Sequence, residues 1–342
     1  MNLRLLRSSF RPICLLALAL AAGCSRPADS AATGASPGRP IKIGFLVKQP
    51  EVSWFQLEWR FADQAAREFG FSLVKTGATD GEKVLAAIDS LAAAGAQGFI
   101  ICTPDARLGP AIAVKARAAG LKLMTVDDQF VGADGRPMTG VHHLGISATK
   151  IGEAVGTALA AEMKRRGWTS ADTGVCTVTF DELATARERT DGAVAALQAA
   201  GFPKERIYHA PQRTSDIPGG FDAVNILLTQ QSAVKHWLVC GMNDWAVLGA
   251  VRALEGRGFA ADRAVGIGIN GTDCLDELAK EKPTSFHGSI LLSAKQHGYE
   301  TAKMMFQWVK DGKEPPPDTR TAGVLITREN FRQVLKEQGM QD

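Results

Sequence analysis

Hydrophobic and polar positions along the chain alternate between two rhythms. Short β-branched runs mark strands, and longer stretches with apolar residues three or four apart mark helices. Ile41–Val47 is the first strand run, followed by a helical pattern over roughly 54–69 that closes at Gly70. Phe71–Lys75 predicts a second strand, and the helix at 81–94 gathers Val84, Leu85, Ile88 and Leu91 on one face. Ala96–Cys102, Leu121–Val126 and Met138–Ile146 continue the strand series. The pattern then repeats. A helix at 148–166 sets Ile151, Val155, Leu159 and Met163 four residues apart and stops near Gly167. Strands are expected at 173–180, 206–210, 236–241 and 264–269, each leading into a helix.

Strand–helix alternation of this kind builds parallel sheets covered by helices on both faces. Two further strands, Thr284–Leu292 and Gly323–Arg328, are separated by a helix at 294–311 and the turn Glu314-Pro315-Pro316-Pro317. One open sheet of nine or more strands would be unusual. The expected fold is therefore α/β, with two doubly wound parallel-sheet domains joined by crossing strands. Their expected bounds are 41–146 plus 293–322 and 147–292 plus 323–342. A cleft between two such domains is a favoured place for a ligand.

The first 23 residues read as an export signal: arginines, then the apolar run Ile13–Leu20, then small residues. That run is too short to span a bilayer, which needs roughly 20 residues. Ala21-Ala22-Gly23-Cys24 is similar to a bacterial lipobox, which would make Cys24 a lipidation site; simple cleavage nearby would instead release a soluble protein. Residues 24–40, rich in Ser, Ala, Gly and Pro, suit a flexible tether. The chain of 342 residues carries 39 Lys and Arg against 36 Asp and Glu. Arg4, Arg7 and Arg11 of the leader account for the whole excess, leaving residues 24–342 formally neutral. The densest basic run, Lys164-Arg165-Arg166, ends a predicted helix, where it complements the dipole. Nucleic acid is not an expected partner. Cys102, Cys176, Cys240 and Cys274 form no C-x-x-C pair and read as buried free thiols.

Ligands in open α/β sheets bind beyond the carboxyl ends of the strands. Lys48 and Gln49 follow the first strand, with Trp54-Phe55 shortly beyond, and Asp127-Asp128 follow the fourth. Thr185, Arg187 and Arg189 lie beyond the 173–180 strand, Met242-Asn243-Asp244 beyond 236–241, and Asn270 with Asp273 beyond 264–269. An ammonium, carboxylates, guanidinium groups, carboxamides and an aromatic pair together suit a neutral polyhydroxylated ligand. Hydroxyls both donate and accept, and aromatic faces cover the C–H patches of a sugar ring. Asp127-Asp128 would diverge as neighbours on an extended segment, giving one helix cap and one ligand contact.

Other signals lead nowhere. Gly266, Gly268 and Gly271 match G-x-G-x-x-G, but the first two fall inside a strand run and no acid stands about 20 residues on. No histidine pair has H-E-x-x-H spacing, and no Walker loop, G-x-S-x-G elbow or calcium loop is present. No cofactor, metal site or catalytic residue is therefore expected, and an enzyme is the weaker class.

The segments KIGFLVKQPEVSWFQLEWRFAD at 42–63, DGEKVLAAIDSLAAAGAQGFIICTPD at 80–105, VDDQF at 126–130, GMNDWAVLGAVRA at 241–253 and GIGINGTD at 266–273 carry a resemblance. The chain resembles the class I sugar-binding proteins of the periplasm from about residue 42 to 335. The resemblance implies the type I periplasmic binding protein fold and capture of a pentose such as L-arabinose, or a close hexose such as D-galactose. It further implies delivery by a monomer to an ABC permease with a cytoplasmic ATPase. By similarity Lys48, Trp54, Phe55, Cys102 and Asp128 serve the sugar from the first domain. Leu183, Thr185, Arg189, Met242, Asn243 and Asn270 serve it from the second, with Asp273 close by. LacI-type repressors share the body but carry a DNA-binding helix-turn-helix where this chain has its leader. Three positions depart from the family: Val52 stands for a sugar-binding acid, Ile146 for a methionine and Leu292 for a proline. The lipobox is a fourth departure. A receptor for chemotaxis or a sensor partner fits the same features, and an exported sugar-converting enzyme is the third reading.

Overall fold

The computed structural model describes residues 40–341; the leader, Cys24 and all but the last residue of the tether lie outside the described residues. Strands β1 (Lys42–Val47), β2 (Ser72–Gly77), β3 (Gly98–Ile101), β4 (Lys122–Asp127) and β5 (His142–Ile146) come first. They are interleaved with α1 (Ser53–Phe69), α2 (Gly81–Ala93) and α3 (Gly109–Ala118). Then follow α4 (Ala148–Arg165), β6 (Thr173–Thr179), α5 (Ala184–Ala199), β7 (Ile207–Pro211) and α6 (Ile217–Gln230). Next come β8 (His236–Gly241), α7 (Asp244–Gly256), β9 (Ala264–Asn270), α8 (Leu275–Ala279) and β10 (Phe286–Leu291). The chain closes with α9 (Thr301–Asp311), β11 (Asp318–Thr321), β12 (Val324–Thr327) and α10 (Phe331–Glu337).

Two six-stranded sheets result, in the orders β11-β5-β4-β3-β1-β2 and β12-β10-β9-β8-β6-β7. Every neighbouring pair is parallel except β10 with β12, which is antiparallel. Each sheet anchors one lobe. The chain passes between lobes three times: after β5, after β10, and through Ala322-Gly323 between β11 and β12. Gly323 is required there by crowding, since a Cβ would lie 2.2 Å from Cγ2 of Ile290.

Central strands are buried along almost their whole length, β6 entirely, which is why they read as continuous apolar runs. Edge strand β11 is different. Its residues Asp-Thr-Arg-Thr are polar and mostly exposed, so the apolar pattern missed it, and its pairing to β5 comes from tertiary contact. The strand expected from residue 138 begins only at His142, because the preceding segment is a loop closed by a Val131–Pro137 bridge. His142 and His143 do point to opposite sides: His143 is fully buried, while His142 stacks edge-on against Trp308. Four cysteines of the described residues are free and buried.

Helices α4 and α5 pack backbone to backbone, and this fixes the start of α5 over the cleft. A Cβ on Gly156 would lie 2.2 Å from the carbonyl oxygen of Ala193, and one on Gly192 would lie 2.4 Å from that of Thr149. Alanine is the better helix former, but crowding of this kind typically costs ~1–3 kcal/mol. Gly156→Ala is therefore expected to lower the thermal unfolding midpoint; a midpoint at or above the parent value would contradict the close approach.

Candidate functional site

The carboxyl ends of both sheets face one another, and between them lies a chamber of about 330 Å³. That is at the small end of ligand cavities. A wider vestibule of about 790 Å³ shares Lys48, Asp127, Asp128, Ile146, Leu183 and Thr185 with it. Of the side chains that sequence placed here, Lys48, Trp54, Phe55 and Asp128 line the chamber from the first lobe. Leu183, Thr185, Arg189, Met242, Asn243, Asn270 and Asp273 line it from the second.

Each stands where a strand or helix terminus puts it. Lys48 follows the last residue of β1, and its Nζ pairs with Oδ2 of Asp128, just past β4. Burial works against the Lys48 ammonium, yet the neighbouring Cys102, Asp128 and Asp127 raise its pKa above the ordinary lysine range. The ion pair leaves the remaining carboxylate oxygen and ammonium hydrogens for a ligand. Cys102 lies one layer back from the chamber wall. It is buried with Sγ 3.6 Å from Oδ2 of Asp128, and burial pushes its thiol pKa well up. Trp54 and Phe55, in the first turn of α1, are almost fully buried apart from the faces they turn to the chamber.

Arg189, one turn into α5, donates from Nη1 to the carbonyl of Met242 at 2.6 Å. Its Nε is sealed from solvent without an acceptor, and no acidic side chain pairs with it among the described residues. Asn243 is both cap and wall: its Oδ1 accepts from the N–H of Ala246 at 2.9 Å, capping α7, and Nδ2 reaches the carbonyl of Ser215 at 3.3 Å. One amide hydrogen is left over for the chamber. Asn270 ends β9 with φ of 123°, which only surrounding contacts can hold in a non-glycine residue, and Nδ2 donates to Asp273 at 3.0 Å. Sequence reasoning did not find Ser215 or Trp245, which also line the chamber from the segments opening α6 and α7. Val52, Ile146 and Leu292 form its apolar remainder.

Asp127 does not cap a helix, contrary to the expectation from sequence. Its backbone takes a left-handed φ of 62°, turning its carboxylate away from that of Asp128. The carboxylate accepts from Nε1 of Trp54 at 3.1 Å and from Nδ1 of His297 at 2.6 Å. Burial would raise its pKa, but His297, Trp54 and Lys48 together bring it below the ordinary value. Asp244, another residue noted after β8, is fully buried beneath the second lobe's wall. Its carboxyl accepts from Ser289 Oγ at 2.5 Å and from the N–H of Gly271 at 2.9 Å, holding the Asn270-Gly271 turn. Burial, helped by Asp273, pushes Asp244 up to about 7 against those hydrogen bonds.

The family described as "Periplasmic binding proteins and sugar binding domain of LacI family" matches residues 41–334. The chain is 53% identical over 301 residues to the L-arabinose-binding periplasmic protein of Escherichia coli (strain K12), covering 88% of this chain and 92% of that protein. It is 50% identical over 302 residues to the ABC transporter L-arabinose-binding periplasmic protein of Azospirillum brasilense, covering 88% and 90% respectively. Among solved structures, a periplasmic ribose ABC transporter protein from Conexibacter woesei DSM 14684 superposes with a TM-score of 0.74 at 17% identity. That match covers 88% of this chain and 98% of the other, and it speaks for the fold.

The raised Asp244 pKa has a definite sign for stability. Between the ordinary carboxylate value and about 7 the folded chain keeps a proton that the unfolded chain releases, so this group's contribution falls as pH rises through that window. Relative to the parent, Asp244→Asn is expected to gain on the order of 2 kcal/mol between pH 5 and pH 8. Thermal or denaturant unfolding of both proteins at the two pH values measures it; a difference that does not change with pH would refute the assignment.

Proposed function

The chain belongs to the family of periplasmic binding proteins and LacI-type sugar-binding domains, and from that premise we propose that it captures L-arabinose, or a close aldose such as D-galactose. The sugar would then pass to an ABC permease driven by a cytoplasmic ATPase. One observation carries this reading: a monosaccharide-sized chamber is lined from both lobes by hydrogen-bonding groups that have capacity to spare.

Lys48 and Asp128 would serve hydroxyls at one end of the ring, the ammonium donating and the carboxylate accepting. Arg189, Asn243 and Asn270 would donate at the other end. Trp54 and Phe55 would cover the ring's C–H face, where an aromatic surface excludes water without needing a partner. Because these groups come from two lobes, the sugar gains its full set of contacts only when both approach it. That difference in contact is what a ligand needs to shift an open–closed equilibrium. The lobes, 41–146 plus 293–322 and 147–292 plus 323–342, would move about the three crossings as a hinge.

Residues 1–23 would direct export and be removed, Cys24 would carry lipid, and 24–40 would tether a monomer to the envelope. The reading is of a binder that releases its sugar unconverted. It needs no cofactor, since hydrogen bonding and ring contact supply the whole interaction. Val52, Ile146 and Leu292 border the chamber where the family keeps an acid, a methionine and a proline, and they would tune which aldose is preferred.

Calorimetry with a panel of aldoses tests the proposal: pentose or close hexose binding is expected, with the sugar recovered unchanged. No binding by any of them at millimolar concentration would sink it. Arg189→Ala or Asn270→Ala should each weaken binding about tenfold or more, one lost hydrogen bond to a charged or buried group being worth roughly 1.5–3 kcal/mol. Conversely, Val52→Glu should tighten binding of the preferred sugar by about tenfold on the same scale; unchanged or weaker binding would place that side chain out of the ligand's reach.

A further inference from the structure

Behind the chamber wall of the first lobe lies a buried polar cluster that meets the chamber only at Asp127 and Trp54. His297 is fully buried and sits in a single π-helical turn, Gln296–Glu300, between the second crossing and α9. Its Nδ1 meets Asp127 at 2.6 Å, its Nε2 meets Oγ1 of Thr321 at 2.8 Å, and its ring packs edge-on against Trp54 with centroids 5.3 Å apart. Thr321 ends β11 beside the third crossing, and its hydroxyl reaches the carbonyl of Gly145, next to the first crossing, at 3.3 Å. Glu58 of α1 is also fully buried, with one oxygen 3.8 Å from Nδ1 of His297, and neither oxygen has a hydrogen-bond partner. The packing has no slack: a Cβ on Gly298 would lie 2.1 Å from the carbonyl oxygen of Glu58.

This arrangement answers two questions the chamber leaves open. Asp127 adopts a left-handed backbone that a non-glycine residue holds only when its surroundings over-determine it. Asp128, the next residue, depends on that turn for its approach to Lys48. Trp54, whose ring covers the chamber, depends on the same Asp127 carboxylate for its orientation. One imidazole therefore links both ligand-facing side chains to segments adjoining all three crossings. A π-turn is a common device for aiming a side chain at a functional place.

We propose that His297 is a positioning residue for the ligand chamber. It locks Asp127, and through it Asp128 and Trp54, to the hinge, so that the chamber of the first lobe and the crossings move as one body. The groups facing Asp127 are Lys48 after β1, Trp54 and Glu58 on α1, and His297 in the π-turn. Burial keeps Glu58 protonated well above the usual carboxylate range, with Asp127 adding to the effect, so Asp127 is the ionised member of the pair. The inference rests on the sugar-binding reading only for its effect on affinity; the locking of Asp127 is a property of the ligand-free chain.

Two conservative variants separate positioning from packing. The amide nitrogen of His297→Asn falls near the place of Nδ1 and keeps the bond to Asp127, whereas that of His297→Gln falls near Nε2 and keeps only Thr321. Carbon-13 carboxyl titration of the ligand-free full chain is the first measurement. Asp127 should titrate higher in His297→Gln than in the parent, and His297→Asn, which restores the hydrogen bond but not the charge, should bring it part of the way back. If Asp127 titrates alike in all three proteins, the positioning role is wrong whatever the ligand. Binding kinetics with L-arabinose are the second measurement. His297→Gln should weaken affinity about tenfold, mostly through faster dissociation, while His297→Asn stays within about threefold of the parent. Equal losses in both variants, in step with equal losses in unfolding midpoint, would reduce His297 to a packing residue and overturn the proposal. A titration shift in His297→Gln together with no aldose binding by the parent would uphold the lock and defeat the sugar reading instead.

Discussion

A chain that must cross three times between two sheets cannot place those sheets independently. The crossings after β5, after β10 and between β11 and β12 lie side by side, joined by Thr321 to Gly145 and by the crowding of Gly323 against Ile290. With the lobes joined there, the carboxyl edges of both sheets are held facing one another, and side chains that follow β1, β4, β8 and β9 line the space between. Lys48, Asp128, Arg189, Asn243 and Asn270 meet because of that constraint, although up to 222 residues separate Lys48 from Asn270 in the chain.

Both walls of the chamber solve the same problem with a buried carboxyl group. A chamber-facing turn must hold an unusual backbone: φ of 62° at Asp127 in one lobe, 123° at Asn270 in the other. In the first lobe the turn is fastened through the Asp127 side chain itself, by Trp54 and His297. In the second it is fastened from beneath, where Asp244 takes the N–H of Gly271 and the hydroxyl of Ser289. The electrostatics diverge accordingly. Asp127 has His297 and the Lys48 ammonium beside its donors and stays ionised despite burial, whereas Asp244 has neutral donors and the Asp273 carboxylate nearby and is pushed up to about 7. The sign of the neighbouring charge, more than depth, separates the two buried carboxyls.

Lys48, Asp128 and Asn270 were legible in the sequence because each stands at or just beyond the end of an unbroken apolar run, and strand ends are where a parallel sheet exposes side chains. Asn243 was legible for the same reason, though its cap to Ala246 shows that capping and lining the chamber are compatible. Cys102 was nominated by similarity, yet it sits behind Asp128 instead of in the wall. Ser215 and Trp245 escaped notice because they belong to helix starts, where the apolar period carries no signal for which residue faces a cleft. Asp127-Asp128 was readable as a pair that must diverge. Which member faced inward depended on a left-handed turn that no local pattern announces.

The alternation of apolar runs, read alone, determined two α/β halves and the strand ends that come to line the chamber. Charge arithmetic located the whole basic excess in the leader and left a formally neutral body. Tertiary structure alone decided the polar edge strand β11, the antiparallel β12 and the cluster of Glu58, Asp127, His297 and Thr321. The reason is physical. Burial periodicity is imposed residue by residue and is written locally, whereas an edge-strand pairing or a buried hydrogen-bond cluster is settled by which distant segments the crossings bring within three ångströms or so of one another.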